Sequence, residues 1–151
     1  MEITKKGLYA IRGMVDLAVS SQHKPVPLSN VAVRQEISQH YLEQLFVKLR
    51  RGGLVSSVRG PGGGYLIARP LHKITIRDIL GAVDESIVPA SCVDVDDSCH
   101  RIDSCIVRLV LQEVASRIAE VLESITLEDL CRESATTTGE KTVGHTYTFS
   151  I

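Results

Sequence analysis

The 151-residue chain is long enough for one domain, or one small domain with an appendage, and its 44% hydrophobic content without tryptophan predicts an aliphatic core. No stretch approaches the ~20 consecutive apolar residues that cross a bilayer. The opening Met1-Glu2-Ile3-Thr4-Lys5-Lys6-Gly7 lacks the pattern of a secretory leader, so no membrane partner and a cytoplasmic location with reduced thiols are expected. The net charge of −1 conceals a division: residues 1–70 carry ten Lys/Arg against four Asp/Glu, and residues 71–151 carry seven against fourteen. A basic first half suits phosphate binding.

In chain order, Thr4 stands where it can cap a helix running from about Lys5 to Ser20, with Leu8, Ile11, Met14, Val15, Leu17, Ala18 and Val19 on a broad apolar face. Ser21 to Pro27 is a loop, because Pro25 and Pro27 cannot continue the helix. A short helix follows from about Leu28 to Gln35, with Leu28, Val31 and Ala32 facing inward. Glu36-Ile37-Ser38 turns the chain into another helix, which is helix-turn-helix spacing.

The stretch from Ser38 to Leu66 organises the rest. Tyr41, Leu42, Leu45, Phe46 and Leu49 recur at three- and four-residue intervals and form one buried stripe. Ser38 sits at the N-cap position, and Gly52-Gly53 stops the helix. Gln39, His40, Glu43, Gln44 and Lys48 lie on the opposite face, with Arg50 and Arg51 at its end. The period then changes to strand. Leu54 to Val58 and Tyr65 to Ala68 flank Arg59-Gly60-Pro61-Gly62-Gly63-Gly64, a hairpin with a flexible tip and an arginine at its base. Capped helix, glycine stop and basic hairpin make the shape of a winged helix-turn-helix. The helix would enter a major groove and the wing a neighbouring minor groove or phosphates. The plainer alternative is an ordinary helix–hairpin unit.

Thr75-Ile76-Arg77-Asp78 resembles a capping box, with Asp in place of Glu or Gln, and opens a helix to about Val83. Asp84 to Asp103 is polar and acidic and reads as a loop. From Ser104 to Ser124 the helical pattern is long. Val107, Val110, Leu111, Val114, Ile118, Val121, Leu122 and Ile125 form a stripe of some five turns, widened by Ile106, Leu109, Ala115 and Ala119. One small monomer has too little surface to cover it, so a two-fold dimer built on this helix is predicted; a central helix of a monomeric bundle is the alternative. Thr126-Leu127-Glu128-Asp129 starts a last short helix to about Cys131, and the Thr-rich segment before Gly139 breaks the pattern. Alternating Val143, His145, Tyr147, Phe149 and Ile151 have strand period in a tail expected to be flexible. The expected class is therefore mainly α with a small β-hairpin wing. It divides into a DNA-binding domain at 1–83, a cysteine loop at 84–103, a dimerisation helix and short C-terminal helix at 104–131, and a tail at 132–151.

Cys92, Cys99 and Cys105 fall within fourteen residues, the last at a helix start. In a reducing compartment such thiols are ligands or inert side chains rather than disulfides. The C-x6-C-x5-C spacing lacks the tight knuckle of a zinc finger, and thiolates also hold iron–sulfur clusters. Cys131, in a helical pattern, reads as a small apolar residue. No nucleophile, base or phosphate-binding loop is arranged for catalysis, so no enzyme is expected.

The motif YLEQLF-x-x-LR-x-x-GLV-x-S-x-RGPGGGY, followed by IRDILGAVDES and three cysteines, resembles the IscR-type iron–sulfur cluster regulators, winged-helix transcription factors of the Rrf-type superfamily. The resemblance spans about Thr4 to Leu130. It implies a homodimer that binds promoter DNA and carries one [2Fe–2S] cluster per subunit, received from the iron–sulfur assembly machinery. Such proteins typically repress cluster-assembly genes. Cys92, Cys99 and Cys105 match the family's cysteine ligands. The family's fourth ligand is a histidine three residues further on. Here that residue is Arg108, which stays protonated and cannot ligate, leaving His100, Asp103, His145 or an exogenous group as candidates. Glu43 matches a base-reading residue, Arg59 a minor-groove residue of the wing, and Ser38 and Tyr41 residues near the DNA backbone, whereas Gln39 and His40 depart from the family. Lys48, Arg50, Arg51 and Gly60 complete the expected DNA-binding set with Gln44. The same scaffold is compatible with a [4Fe–4S] nitric-oxide-sensing site, a zinc site, or cluster-independent DNA binding.

Overall fold

A computed structural model describes residues 2–93 and 104–137. The expectations for Cys99, His100, Asp103 and His145 lie outside the described residues, as does the tail from residue 138. The element order is α1 (Lys5–Ser21), α2 (Leu28–Gln35), α3 (Gln39–Arg51), β1 (Val55–Val58), β2 (Gly64–Ile67), α4 (Ile76–Ala82), α5 (Ile106–Ser124) and α6 (Leu127–Thr137). Short 3₁₀ turns lie at Leu71–Lys73 and Ser91–Val93. This is the expected mainly helical chain with one small hairpin.

The apolar stripes meet in one core. Ala10, Met14 and Leu17 of α1, Val31 of α2, and Leu42, Phe46 and Leu49 of α3 are almost completely buried together. Burial of such side chains outweighs the weak intrinsic stability of short helices. At the end of α3, Gly53 takes a left-handed φ of +70°. The Leu54 N–H reaches the Leu49 carbonyl at 3.0 Å and the Gly53 N–H the Arg50 carbonyl at 3.0 Å, so the helix closes with a Schellman motif. Arg69 adds side-chain bonds to the carbonyls of Gly52 (2.9 Å) and Gly53 (3.1 Å).

β1 and β2 pair antiparallel, with Val55 opposite Ile67 and Val58 opposite Gly64. The loop expected at residues 21–27 also contributes to this sheet. Val26 exchanges two backbone bonds with Tyr65 (3.0 and 2.9 Å). At Gly64, where φ is +154°, a Cβ would lie 2.3 Å from the Val26 carbonyl oxygen, so glycine is required for this close approach.

The Thr75–Asp78 capping box forms in full: the Asp78 N–H donates to Thr75 Oγ1 (3.1 Å) and the Thr75 N–H to Asp78 Oδ2 (3.0 Å). Thr126 and Asp129 build a matching box at α6, with 2.9 Å and 3.2 Å bonds. Two caps differ from expectation. Thr4 stands at the N-cap of α1 but makes no capping bond. Its N–H and hydroxyl instead donate to Glu85 at 2.7 and 2.8 Å. Ser38 stands at the N-cap of α3, exposed and without a capping bond.

The C-terminal part differs more. α5 begins at Ile106, one turn short at most of the expected start, and none of its residues is buried. Ile106, Val107, Leu109 and Val110 are 71, 59, 62 and 58% exposed. Among the described residues α5 is thus not the central helix of a bundle. α6 runs to Thr137, well past Cys131, and it returns to the helix–wing core. Leu127 is fully buried there, and its N–H bonds the Ile74 carbonyl at 2.8 Å while Ile76 N–H bonds the Ile125 carbonyl at 3.0 Å.

Candidate nucleic-acid interface and cysteine site

α3 is held rigidly from behind. Asp16 on α1 is buried and accepts a forked contact from Arg34 (2.5 to 3.1 Å) and a 2.8 Å bond from Gln35. Arg12 donates to the Gln35 carbonyl at 2.5 Å and to Gln35 Oε1 at 3.1 Å. A forked Arg–carboxylate pair with further bonds fixes direction as well as distance. The end of α2 is therefore locked onto α1. Glu36 then takes a left-handed φ of +55°, and buried Ile37 anchors the turn into α3. Tyr41 is half-buried, edge-on to Tyr9 at 6.1 Å, so it supports the helix.

The outer face of α3 carries two side-chain pairs one turn apart. Gln39 Nε2 donates to Glu43 Oε1 at 2.9 Å, and Gln44 Nε2 lies 3.1 Å from His40 Nε2. All four residues are exposed. Glu43 can accept from a cytosine amino group in a major groove. At the end of α3 the cations are less uniform than expected. Lys48 pairs with Asp84 at 2.7 Å, and Arg50 donates to Ser57 Oγ on β1 at 3.2 Å, while Arg51 is exposed. Arg59 and Gly60 are exposed at the wing tip. Of the residues expected to meet DNA between Ser38 and Gly60, all are exposed on α3 and the hairpin except Tyr41 and Lys48, which are half-buried.

Sequence reasoning missed the residues that hold this surface in place: Arg12, Asp16, Arg34, Arg69, Asp84 and Glu85. Burial pushes the Glu85 carboxyl up, but the two Thr4 bonds and the charge of Lys6, 3.5 Å away, outweigh it and hold Glu85 below its ordinary value. The Lys48 contact holds Asp84 below the usual carboxylate range. No local signal could have found these pairs, whose members are separated by 16 to 81 residues.

The cysteine-bearing segment leaves α4 at Asp84 and Glu85, which are thereby bonded to α3 and α1. Cys92 lies on the Ser91–Val93 turn, and Cys105 is the N-cap residue of α5; both are half-buried and neither is in a disulfide. Arg108 joins them. Its Nε donates to the Cys92 carbonyl at 2.9 Å and its backbone N–H to the Cys105 carbonyl at 3.1 Å. Cys105 makes no capping bond through sulfur. Thiols are soft donors suited to iron or a cluster. Among the described residues no group of three or more His, Cys, Asp or Glu is placed to hold a metal ion. Cys131 packs on the core, and burial, with the nearby Glu128, pushes its thiol up, which agrees with its reading as a small apolar residue. Among the described residues no helix is long and apolar enough to cross a membrane.

Comparison with known proteins agrees with this architecture. The chain is 46% identical over 132 residues to the HTH-type transcriptional regulator IscR of Xenorhabdus nematophila, covering 87% of this chain and 80% of that one. Its identity to IscR of Vibrio cholerae serotype O1 is 44% over 134 residues, 89% and 77% of the two chains. Among solved structures it resembles T. potens IscR (TM-score 0.73, 35% identity, 95% and 94% coverage). It also resembles CymR, the global cysteine regulator of B. subtilis (TM-score 0.72, 34% identity, 88% and 98% coverage). These relatives are transcriptional regulators and not enzymes. Residues 3–133 match the Rrf2 family, described as iron-dependent transcriptional regulators, and the chain belongs to that family as an IscR-type, DNA-binding regulator.

Proposed function

We propose that the protein is a cytoplasmic homodimeric repressor that carries one [2Fe–2S] cluster per subunit on Cys92, Cys99 and Cys105 and controls genes of cluster assembly. The assembly machinery is its cluster donor and double-stranded promoter DNA its target. The observation that carries this reading is the double attachment of one segment. Its start is bonded to α3 through Asp84–Lys48 and to α1 through Glu85–Thr4, and its Cys92 turn is bonded to the first turn of α5 through Arg108. A change in the cysteine segment therefore has a covalent and hydrogen-bonded route to the reading helix.

When bound, the cluster supplies a labile, redox-sensitive cross-link among thiolates. The protein's own residues do the rest. Cys92 and Cys105 bring two thiolates to the end of α5, and His100, Asp103, His145 or an exogenous group completes the set. The exposed apolar face of α5 pairs with the same face of a second copy, so the start of α5 sets the relation between the two α3 helices. Glu43 reads a base, aided by Gln39, His40 and Gln44, while Arg59 and Gly60 follow the minor groove and Ser38, Tyr41, Lys48, Arg50 and Arg51 position the duplex. Coupling requires two states with different DNA affinity.

The test compares anaerobically isolated protein with the same protein stripped by chelator, each selected against a random duplex library. The proposal predicts different preferred sequences or at least a tenfold difference in affinity between the two forms. Identical selections would overturn the sensing claim. A second reading, a regulator that works without a cluster, is favoured by Arg108 at the expected histidine position; it predicts identical selections. Iron and sulfide content separates a [2Fe–2S] site from a [4Fe–4S] or zinc site.

A further inference from the structure

We infer that Arg108 is a positioning residue that holds the Cys92 turn against Cys105 before any cofactor arrives, so that the cysteine site is partly assembled in the empty protein. This rests on the cysteine-site reading above and deepens it. Three observations carry it.

First, a single residue bonds both cysteine segments. The Arg108 backbone N–H is committed to the Cys105 carbonyl by the helix start, at 3.1 Å. Its side chain then spans to the Cys92 carbonyl, where Nε donates at 2.9 Å in a half-buried setting. Second, the bond uses the backbone carbonyl of Cys92 and leaves both sulfur atoms outside the brace. A lysine at this place would offer a donor without a fixed plane, whereas the guanidinium sets direction. Third, few other hydrogen bonds fasten the turn among the described residues. Its internal bond runs from the Val93 N–H to the Ala90 carbonyl, at 3.1 Å, and the Cys92 turn lies alongside α5 rather than in the core. The far end of the segment is fixed independently at Asp84 and Glu85. Among the described residues, the Arg108 side chain thus supplies the hydrogen bond from α5 that closes the second attachment.

The same geometry gives this chain a distinct character at the position one helical turn past Cys105. The side chain there is a permanently charged non-ligand, occupied in organising the turn.

The test reads proximity directly, without cofactor. In a Cys99→Ser/Cys131→Ser background, diamide takes two electrons and two protons from Cys92 and Cys105 as their disulfide forms. The rate of that step reports how often the two thiols meet. A loop of this length already gives a millimolar effective concentration, so the brace is read as the increase above it. Arg108→Ala is expected to slow pairing about tenfold, the scale of one charge-assisted hydrogen bond in a partly solvated site. Arg108→Lys is expected to restore part of the rate. Alanine and lysine both favour helix, and far-UV circular dichroism checks that α5 is retained. Equal pairing rates in wild type, Arg108→Ala and Arg108→Lys would overturn the inference. Iron and sulfide analysis of each full-length protein forms the second arm, with faster loss of iron to a chelator expected for Arg108→Ala. A wild type without iron but with Arg108-dependent pairing would refute the cofactor reading and still support the brace.

Discussion

The two halves of this molecule are fastened in different ways. In the helix–wing half, α3 is fixed by the buried Leu42, Leu45, Phe46 and Leu49, by the Asp16–Arg34–Gln35–Arg12 network behind α2, and by the Arg69 bonds at its end. In the α5 half, none of the helix is buried, and the cysteine turn is attached through Arg108 and its packing along α5. A reading surface that discriminates bases needs its side chains in one place. A sensing arm needs states of similar free energy, which a sparse set of contacts permits. Leu127 sharpens the contrast, because α6 follows α5 in sequence yet belongs to the helix–wing core.

The comparison can be broken by exchanging consequences between the halves. Leu127→Ala is expected to lower folding stability by about 2–5 kcal/mol, the usual range for deleting a fully buried leucine. Val110→Ala, on the exposed α5 face, should change the stability of the isolated chain very little. Chemical denaturation at low protein concentration measures both, and similar losses would mean that the helices do not differ as described. Val110→Glu is expected to yield a monomer in light scattering and to weaken operator binding by about 10²-fold or more, since two linked reading heads bind with avidity. A dimer that survives this change would place the interface elsewhere.

Smaller effects concern the reading surface and its anchor. Glu43→Ala should relax base preference at one position, worth about 1–3 kcal/mol on the specific site. A uniform loss across all duplexes would remove Glu43 from the readers. Glu85 is held below its ordinary value of 4.5 in the folded chain, so the unfolded chain binds its proton first as pH falls. Its stabilisation is complete above that value and is lost as pH drops through the lower folded value. Glu85→Gln should therefore be less stable than wild type at pH 7, and the difference should shrink toward pH 3. A difference that stays constant with pH would show that the Thr4 and Lys6 contacts do not depend on the carboxylate's charge.

The parts of the fold visible in the sequence are those written at short range. The stripe of α3, the Gly52-Gly53 stop and the Thr75–Asp78 box each depend on residues within one or two turns. Long-range fastening was not visible. Thr4 read as a simple cap because its neighbours permit one, but Glu85, 81 positions away, offers its backbone and hydroxyl a charged acceptor instead. Lys48 read as a free cation of the DNA face, yet it meets Asp84. The threonines at 136–138 predict an end of α6 near Cys131, but the helix runs on to Thr137. Their helix cost is only a few tenths of a kcal/mol each, and a helix anchored by Leu127 and the Thr126–Asp129 box can carry it. Of the cysteine site, the residue types and the helix start at Cys105 were legible, and the bridging role of Arg108 was not, because it is a contact between two elements.

The central claim is that Cys92 and Cys105 are two ligands of an iron–sulfur site that the rest of the cysteine loop completes. The most direct measurement is iron and acid-labile sulfide per chain, with the visible absorption spectrum, on anaerobically purified wild type and Cys92→Ala. The account predicts a reddish-brown wild type with about two irons and two sulfides per chain, as a [2Fe–2S] cluster requires, and a colourless Cys92→Ala protein that keeps its fold. A colourless wild type without iron, or a Cys92→Ala protein that retains the full cluster spectrum, would contradict it.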